Sequence, residues 1–382
     1  MTKPGGERRP LRVGIVGAGM IAVDRPGFLP GLQHIRDRAE VVAITSRTRS
    51  RAETVARDWA IPAVYDSLPQ MLAHADLDVV LNLTPIYAHY ETSMAVLTAG
   101  VHLVTEKPLA STLAQASEIC AVAAARHLLV VCAPYDMLKP EWAEARRLLR
   151  AGAVGKVAFA RLQSSHGGPA VMAWPADPTW FYQDGAGPLL DMGVYGIDRI
   201  TGLLGPARRV AALSGLSQPV RYARGGTFDG LEIAATVDDN TLLMLDFGEA
   251  TFAFIDATFN VVASKSAALE LYGSAGTLIV NRPGVDAGPG RLPLELFRTD
   301  TVAGLPGWIS PRSLDAAPRQ DRTALLARAI LVEHLAHCLA TGAPPVTSAD
   351  RARHVLEIML AAQTAAREGR TVELQTTFGV LA

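Results

Sequence analysis

The sequence predicts two folds in one chain: a doubly wound, parallel α/β sheet first, and an α+β segment with an antiparallel sheet after it. Three observations predict this. The first 133 residues alternate short apolar runs, often β-branched, with helix-like stretches, which is the βαβ rhythm of a parallel sheet covered on both faces. From about residue 210, strand-like runs follow one another through short polar turns such as Asp238-Asp239-Asn240 and Gly248-Glu249, as hairpins do. The length, 382 residues, exceeds one typical core and suits two. The expected division is 1–133 and 134–382.

The strands expected in the first part are 11–16, 41–45, 79–83, 101–105 and 128–132. Helical stretches 50–60, 88–99 and 113–126 lie between them. A helix over 140–151 leads through Gly152 and Gly155 to a strand over 156–164, and a second helix covers 188–204. Strands at 210–213, 231–237, 241–247, 251–259, 267–272 and 277–280 complete the antiparallel part. Residues 281–322, rich in Gly and Pro, read as a long loop. Helices over 323–341 and 349–368 close the chain.

Composition excludes several classes. Charged residues make up 19% and the formal net charge is −1, so no electrostatic footprint points to nucleic acid or an anionic membrane. Cys120, Cys132 and Cys338 are scattered, with no CxxC pair and no Cys/His cluster at zinc spacing, so no metal site is expected. They read as buried thiols of a reducing compartment. Arg8-Arg9 before an apolar run imitates an export signal, but that run is also the first strand, and cleavage after it would remove the glycine loop. No segment approaches the ~18 uninterrupted apolar residues of a membrane span. A cytoplasmic protein is expected.

Gly17-Ala18-Gly19-Met20-Ile21-Ala22 follows the first strand directly and fits GxGxxG/A. The first glycine permits the tight turn, the second lets backbone N–H groups approach a pyrophosphate, and the third small residue lets the helix pack on the sheet. Gly17, Gly19, Met20 and Ile21 are therefore candidate dinucleotide contacts. Asp24-Arg25-Pro26-Gly27 interrupts the helix that should follow, which predicts a broken first crossover. At the end of the second strand an NAD binder commonly carries a carboxylate for the ribose hydroxyls. Here Thr45-Ser46-Arg47-Thr48 stands in its place. Ser46 can hydrogen-bond a phosphate and Arg47 can pair with one at two points, which favours NADP over NAD.

The strands over 79–83 and 101–105 end at the same sheet edge as Gly17. The first runs into Thr84-Pro85, with His89 in the first turn of the next helix, and all three are candidate cofactor contacts. The second runs into Glu106-Lys107-Pro108. In isolation that tripeptide reads as a surface ion pair before a helix-starting proline. At a strand carboxyl end of an open α/β sheet it stands where ligands bind.

The glycine loop, Thr84-Pro85 with His89, Glu106-Lys107-Pro108 and the segment Gly185-Ala186-Gly187-Pro188-Leu189-Leu190-Asp191-Met192-Gly193-Val194-Tyr195-Gly196-Ile197-Asp198, in this order and spacing, resemble the Gfo/Idh/MocA family. These are sugar and polyol oxidoreductases related to glucose-fructose oxidoreductase, inositol dehydrogenase and dihydrodiol dehydrogenase. The resemblance spans roughly residues 11–280. It implies a Rossmann domain, and a second domain with a large, mostly antiparallel sheet that serves dimer contacts, hence a homodimer or homotetramer. It also implies cofactor contact at Glu106 and Lys107, and a substrate site lined by Asp191 and the residue four later. That residue is often His; here it is Tyr195, as in the glucose-fructose oxidoreductase and dihydrodiol dehydrogenase branch.

On a regular helix Asp191, Tyr195 and Asp198 share one face. Hydride loss from a C–H bond requires loss of the hydroxyl proton, so a positioned group must accept it and a cation must stabilise the alkoxide. Tyr195 is the expected acid/base, assisted by the charge of Lys107, which is itself the alternative proton carrier. Asp191 is expected to orient the substrate. The segment Ala133-Pro134-Tyr135-Asp136-Met137-Leu138-Lys139-Pro140 departs from the family in lacking its Asn and Arg-Phe, with Tyr135 as a candidate substitute. Trp174 and Trp180 are candidates for stacking on a sugar ring or for core packing. The expected function is an NAD(P)-dependent dehydrogenase or reductase of a sugar, polyol or cyclic diol. The alternatives are a glycoside hydrolase that works by transient oxidation with a tightly held cofactor, and a non-catalytic dinucleotide binder.

Overall fold

The computed structural model describes residues 9–282, 292–301, 305–311 and 322–381, and the chain divides into two compact units. Met1–Leu138 with Pro318–Arg353 forms the first, and Lys139–Ala317 with His354–Ala382 the second. A single cut at 133/134 therefore misses the return of Pro318–Arg353 to the first unit. Arg8 of the imitated export signal lies outside the described residues.

The first unit is built on β1 (Leu11–Val16), β2 (Ala39–Thr45), β3 (Ala63–Tyr65), β4 (Val79–Asn82), β5 (His102–Thr105) and β6 (Val130–Cys132). Every neighbouring pair is parallel, in the order β3-β2-β1-β4-β5-β6. Both faces of this sheet are covered, which explains why β4 reads as an apolar run up to its last residue, Asn82. The strand order reverses between β1 and β4, the switch point at which such sheets bind ligands. Register fixes what gathers there. Val16 pairs with Thr45 and with Asn82, and Asn82 pairs with Thr105. Gly17, Ser46, Leu83 and Glu106 thus issue from one edge. The first crossover is broken as expected, into α1 (Met20–Val23) and α2 (Phe28–Leu32). The other crossovers use α3 (Arg49–Trp59), α4 (Leu68–His74), α5 (Ile86–Thr98) and α6 (Leu113–Ala125).

The helical run Arg322–Thr341 has the length and apolar composition of a membrane span. Its Leu326, Leu331, Val332 and Leu335 are instead buried in the core of the first unit, beside Phe28, Leu29 and Val104. The run is not one helix: a 3₁₀ turn, Ala327–Ala329, separates Arg322–Leu326 from Ile330–Thr341.

The second unit opens with α7 (Pro140–Arg150) and β7 (Val157–Gln163). A π-helical turn, Leu189–Gly193, then runs into α8 (Val194–Leu204), where the sequence predicts one regular helix. The strands that follow are β8 (Arg209–Gly215), β9 (Val220–Tyr222), β10 (Glu232–Ala234), β11 (Asn240–Gly248), β12 (Thr251–Thr258), β13 (Leu269–Gly273), β14 (Gly276–Val280), β15 (Leu294–Arg298), β16 (Gly307–Ile309) and β17 (Val372–Glu373). Nine of these unit strands form one sheet, β16-β15-β14-β13-β7-β12-β11-β8-β17, antiparallel throughout except for the parallel pair β7 and β12. β9 and β10 pair by themselves. The expected loop over 281–322 contains β15 and β16; residues 283–291, 302–304 and 312–321 lie outside the described residues.

The π turn and α8 pack on β12. Gly193 and Gly196 make this approach possible. A Cβ on Gly193 would stand 3.0 Å from the Ala257 Cβ, and one on Gly196 2.8 Å from the Ile255 Cγ2. The strand residues on the opposite face alternate outward, leaving Phe159, Met244, Phe252 and Phe254 exposed.

Candidate active site

In the first unit the glycine loop leaves β1 with Gly17 at φ +113°, in the region that favours glycine. Its N–H donates to the Thr45 carbonyl at 2.9 Å, and a Cβ there would lie 2.6 Å from the Leu83 carbonyl oxygen. A Cβ on Gly19 would meet nothing within 4 Å. The first glycine is therefore needed for the chain itself, whereas the second keeps open the space that a pyrophosphate would take. Met20 and Ile21, the next two residues, are half-buried. The residues present fit a dinucleotide.

At the end of β2, Ser46 is half-buried and Arg47 exposed. The Arg47 Nη1 donates to the Tyr87 hydroxyl at 3.1 Å. Arg49 is engaged differently: its Nε donates to Glu53 at 2.8 Å, and Nη1 pairs with Asp66. Two arginines that look alike in the sequence thus differ, since carboxylates hold Arg49 and a neutral hydroxyl holds Arg47.

The next two strand exits are tied together from inside. Asn82 is fully buried; its amide donates to the His89 carbonyl and to the Ser93 hydroxyl, both at 3.0 Å. Its Oδ1 accepts the Thr84 hydroxyl at 2.6 Å, so the polar group of Thr84 is spent on the turn. Pro85 is exposed beside it. His89, expected to face the crevice, is 1% exposed. Its Nδ1 lies 2.7 Å from the Pro108 carbonyl and its Nε2 2.9 Å from the Thr84 carbonyl. Burial pushes the ring below its ordinary pKa, opposed by the two carbonyls and by Glu106. His89 therefore joins the Thr84-Pro85 turn to the Glu106-Lys107-Pro108 turn, with both nitrogens turned away from solvent.

Glu106 is also buried, and its carboxylate points inward. Oε1 accepts from the Arg328 Nε at 2.8 Å, and Oε2 lies 3.3 Å from the Lys107 N–H. The Glu106 N–H donates to the Asn82 carbonyl at 3.2 Å. Lys107 is half-buried between buried Glu106 and buried Pro108, and the Lys107–Pro108 peptide is cis. Tyr135 packs partly buried against the core of this unit.

In the second unit Asp191 lies on the π turn and Tyr195 on the first turn of α8, both half-buried. The Asp191 N–H donates to the carbonyl of Gly187, a residue at φ +93°. Ser164, just past β7, holds the junction of the two helical forms. Its hydroxyl donates to the Met192 carbonyl and accepts the Gly196 N–H at 2.9 Å. The Arg199 guanidinium stands 5.9 Å from the Tyr195 ring centre and 5.2 Å from that of buried Trp142. Asp198 is buried, so it does not share the half-exposed setting of Asp191 and Tyr195. Trp174 meets Phe181 edge to face at 5.3 Å beside a buried cluster, whereas Trp180 is 50% exposed.

Sequence reasoning missed Asn82, Ser164, Arg199 and Arg328. Asn82 alone carried a signal, as a polar residue ending an apolar parallel strand. Among the described residues no group of three His, Cys, Asp or Glu could hold a metal ion.

Comparison with known proteins identifies the family and the fold. Residues 11–133 match the oxidoreductase family with an NAD-binding Rossmann fold, and residues 142–279 match the GFO/IDH/MocA C-terminal domain. Levoglucosan dehydrogenase of Pseudarthrobacter phenanthrenivorans is 25% identical over 71% of this chain and 73% of its own. Trans-1,2-dihydrobenzene-1,2-diol dehydrogenase of Oryctolagus cuniculus is 29% identical over 61% of this chain and 64% of its own. A levoglucosan dehydrogenase structure, in complex with NADH and L-sorbose, shares the fold with a TM-score of 0.81 at 21% identity, over 96% of this chain and 99% of that one. The chain belongs to the Gfo/Idh/MocA family of oxidoreductases and is an NAD(P)-dependent dehydrogenase or reductase acting on CH–OH groups.

Proposed function

We propose that the chain oxidises or reduces a hydroxyl-bearing carbon of a sugar, polyol or cyclic diol, with NADP as its preferred cofactor. One observation carries this reading. Each unit leaves its chemistry-bearing side chains half-exposed among buried neighbours: Lys107 between Glu106 and Pro108, and Asp191 and Tyr195 around Gly193 and Val194. The nicotinamide, when bound, gives or takes the hydride. The protein handles the proton and the charge. Tyr195 accepts the substrate hydroxyl proton in oxidation and returns it in reduction. Lys107 stabilises the developing alkoxide and is the alternative proton carrier. Asp191 accepts a hydrogen bond from a neighbouring substrate hydroxyl, which suits a polyhydroxylated substrate.

Gly17, Gly19, Met20 and Ile21 would seat the pyrophosphate; the Thr84-Pro85 turn and the main chain at Glu106 would line the nicotinamide end. Ser46 and Arg47 would take the 2′-phosphate, because Thr45–Thr48 offers no carboxylate to a ribose diol. The relatives named for levoglucosan and for a dihydrobenzene diol support the substrate class.

The exposed sheet face supports a homo-oligomer. Phe159 pairs with Phe252 across β7 and β12, and Met244 with Phe254 across β11 and β12. A contiguous apolar patch of this kind marks an interaction surface. A cytoplasmic location suits the three buried cysteine thiols; burial pushes the Cys120 thiol up to about 12.

The test is a panel of pentoses, hexoses, inositols and diols with both cofactors, read by nicotinamide absorbance. Reversible turnover with at least one substrate, abolished in Lys107→Met, is expected. Cofactor binding without turnover across the panel would refute the dehydrogenase reading for these substrates.

A further inference from the structure

We propose that Arg328, contributed by the C-terminal return, is a positioning residue that sets Lys107 and links it to the crossover behind the glycine loop. The inference rests on the reading of Lys107 as the cation of the reaction. Arg328 sits in the 3₁₀ turn Ala327–Ala329, 222 residues from Glu106 in sequence. Its Nε donates to the Glu106 Oε1 at 2.8 Å, and its Nη1 donates to the Pro26 carbonyl at 2.8 Å. The two side chains of the ion pair are 15% and 9% exposed, so solvent screens the pair far less than a surface bridge.

The consequences follow from what else each partner holds. The second Glu106 oxygen faces the Lys107 N–H at 3.3 Å, so a shift of the carboxylate moves the lysine main chain. Pro26 lies in the break between α1 and α2, seven residues past Gly19. One guanidinium therefore holds the crossover that follows the pyrophosphate loop and the turn that carries the lysine. The turn bearing Arg328 is itself seated closely on α2. A Cβ on Gly31 would stand 2.7 Å from the Ala329 Cβ, so only glycine fits at this contact. Glu106 is thus an anchor: its carboxylate is committed to Arg328 and to the turn, and its side chain has no need to touch the cofactor. A lysine at position 328 would keep the charge but lose the fork that reaches both partners at once.

The test uses the full chain with Arg328→Gln, Arg328→Lys and Glu106→Gln. Hydrogen exchange of the cofactor-free protein is the first readout. Arg328→Gln should accelerate exchange in 24–30 and in 106–110 together; acceleration confined to 322–341 would overturn the clamp. Turnover with the best panel substrate is the second. Arg328→Gln should lower kcat about 100-fold, the order expected of a catalytic group displaced by an ångström. The dissociation constant for NADPH should change less than kcat, and Arg328→Lys should recover part of the loss. Because the partners act as one unit, Glu106→Gln combined with Arg328→Gln should be no worse than the poorer single variant. Losses that multiply, an unchanged kcat, or equal losses in the Lys and Gln variants would each refute the positioning role. A wild-type protein that binds neither NADPH nor NADH would sink the dehydrogenase reading, and the exchange result would then decide the clamp by itself.

Discussion

Replacing Arg47 by serine should shift cofactor selectivity toward NADH. The guanidinium is exposed at the end of β2, and its Nη1 donates to the neutral Tyr87 hydroxyl at 3.1 Å. A hydrogen bond between charged groups contributes about 1.5–3 kcal/mol, and an exposed pair sits at the low end of that range. A loss of about 1.5 kcal/mol corresponds to roughly tenfold weaker NADPH binding. NADH, which lacks the phosphate, should bind almost as before. Arg49→Ser is the internal control: Glu53 and Asp66 already hold that guanidinium, so its removal should leave the NADPH/NADH ratio unchanged. Tyr87→Phe removes the solvent-exposed hydrogen bond from the Arg47 guanidinium to a neutral hydroxyl, for an effect of about 0.5–1.5 kcal/mol in the same direction. Fluorescence titration of each variant with both reduced cofactors measures the ratio, at fixed ionic strength because salt screens an exposed charge. An unchanged ratio in Arg47→Ser, or an equal change in Arg49→Ser, would refute the assignment.

Gly196→Ala should destabilise the protein by about 1–3 kcal/mol in urea unfolding, because its Cβ would stand 2.8 Å from the Ile255 Cγ2 and 2.9 Å from the Ser164 Cβ. Gly215→Ala, where a Cβ meets nothing within 4 Å, should leave the urea midpoint unchanged or raise it. His102 gives a pH dependence: its Nδ1 accepts the Leu129 N–H at 3.0 Å, and burial holds the ring below its ordinary pKa. The unfolded chain then takes up a proton that the folded chain refuses, so this contribution is complete above about pH 6.5 and is lost as pH falls through the folded value. Urea midpoints on either side of pH 6.5 should differ less in His102→Gln than in the wild type, and an identical slope would refute the assignment.

The parts of the fold legible in the sequence are those in which each residue reports its own burial. β1, β2, β4, β5 and β6 lie inside a sheet covered on both faces, so they appear as apolar runs, and the glycine loop marks where the first one ends. β3, β9 and β16 have three residues each and β17 two, too few for a period of two to show. β15 lies within a stretch whose Gly and Pro content reads as loop. The parallel pairing of β7 with β12 is invisible for a different reason. Pairing direction depends on the path of the chain between strands, and the alternation of the two strands is the same either way.

The site divides along the same line. As candidates, Gly17, Ser46, Lys107, Asp191 and Tyr195 are legible because each belongs to a local motif. The groups that hold them come from a distance: Ser164 reaches the π turn from the end of β7, and Arg328 reaches Glu106 across 222 residues. His89 shows the hazard in reverse, since its helical position suggested an exposed contact and two backbone carbonyls draw it inward. The π turn sharpens the point further. In a regular helix a spacing of four slightly exceeds one turn of 3.6 residues, and Asp191 would stand almost above Tyr195. Here the Val194 N–H reaches back to the Leu189 carbonyl, five residues away, so four residues fall short of a full turn. The offset of Asp191 from Tyr195 around the axis is therefore opposite in sense to that of a regular helix, a change that a spacing of four in the sequence does not reveal.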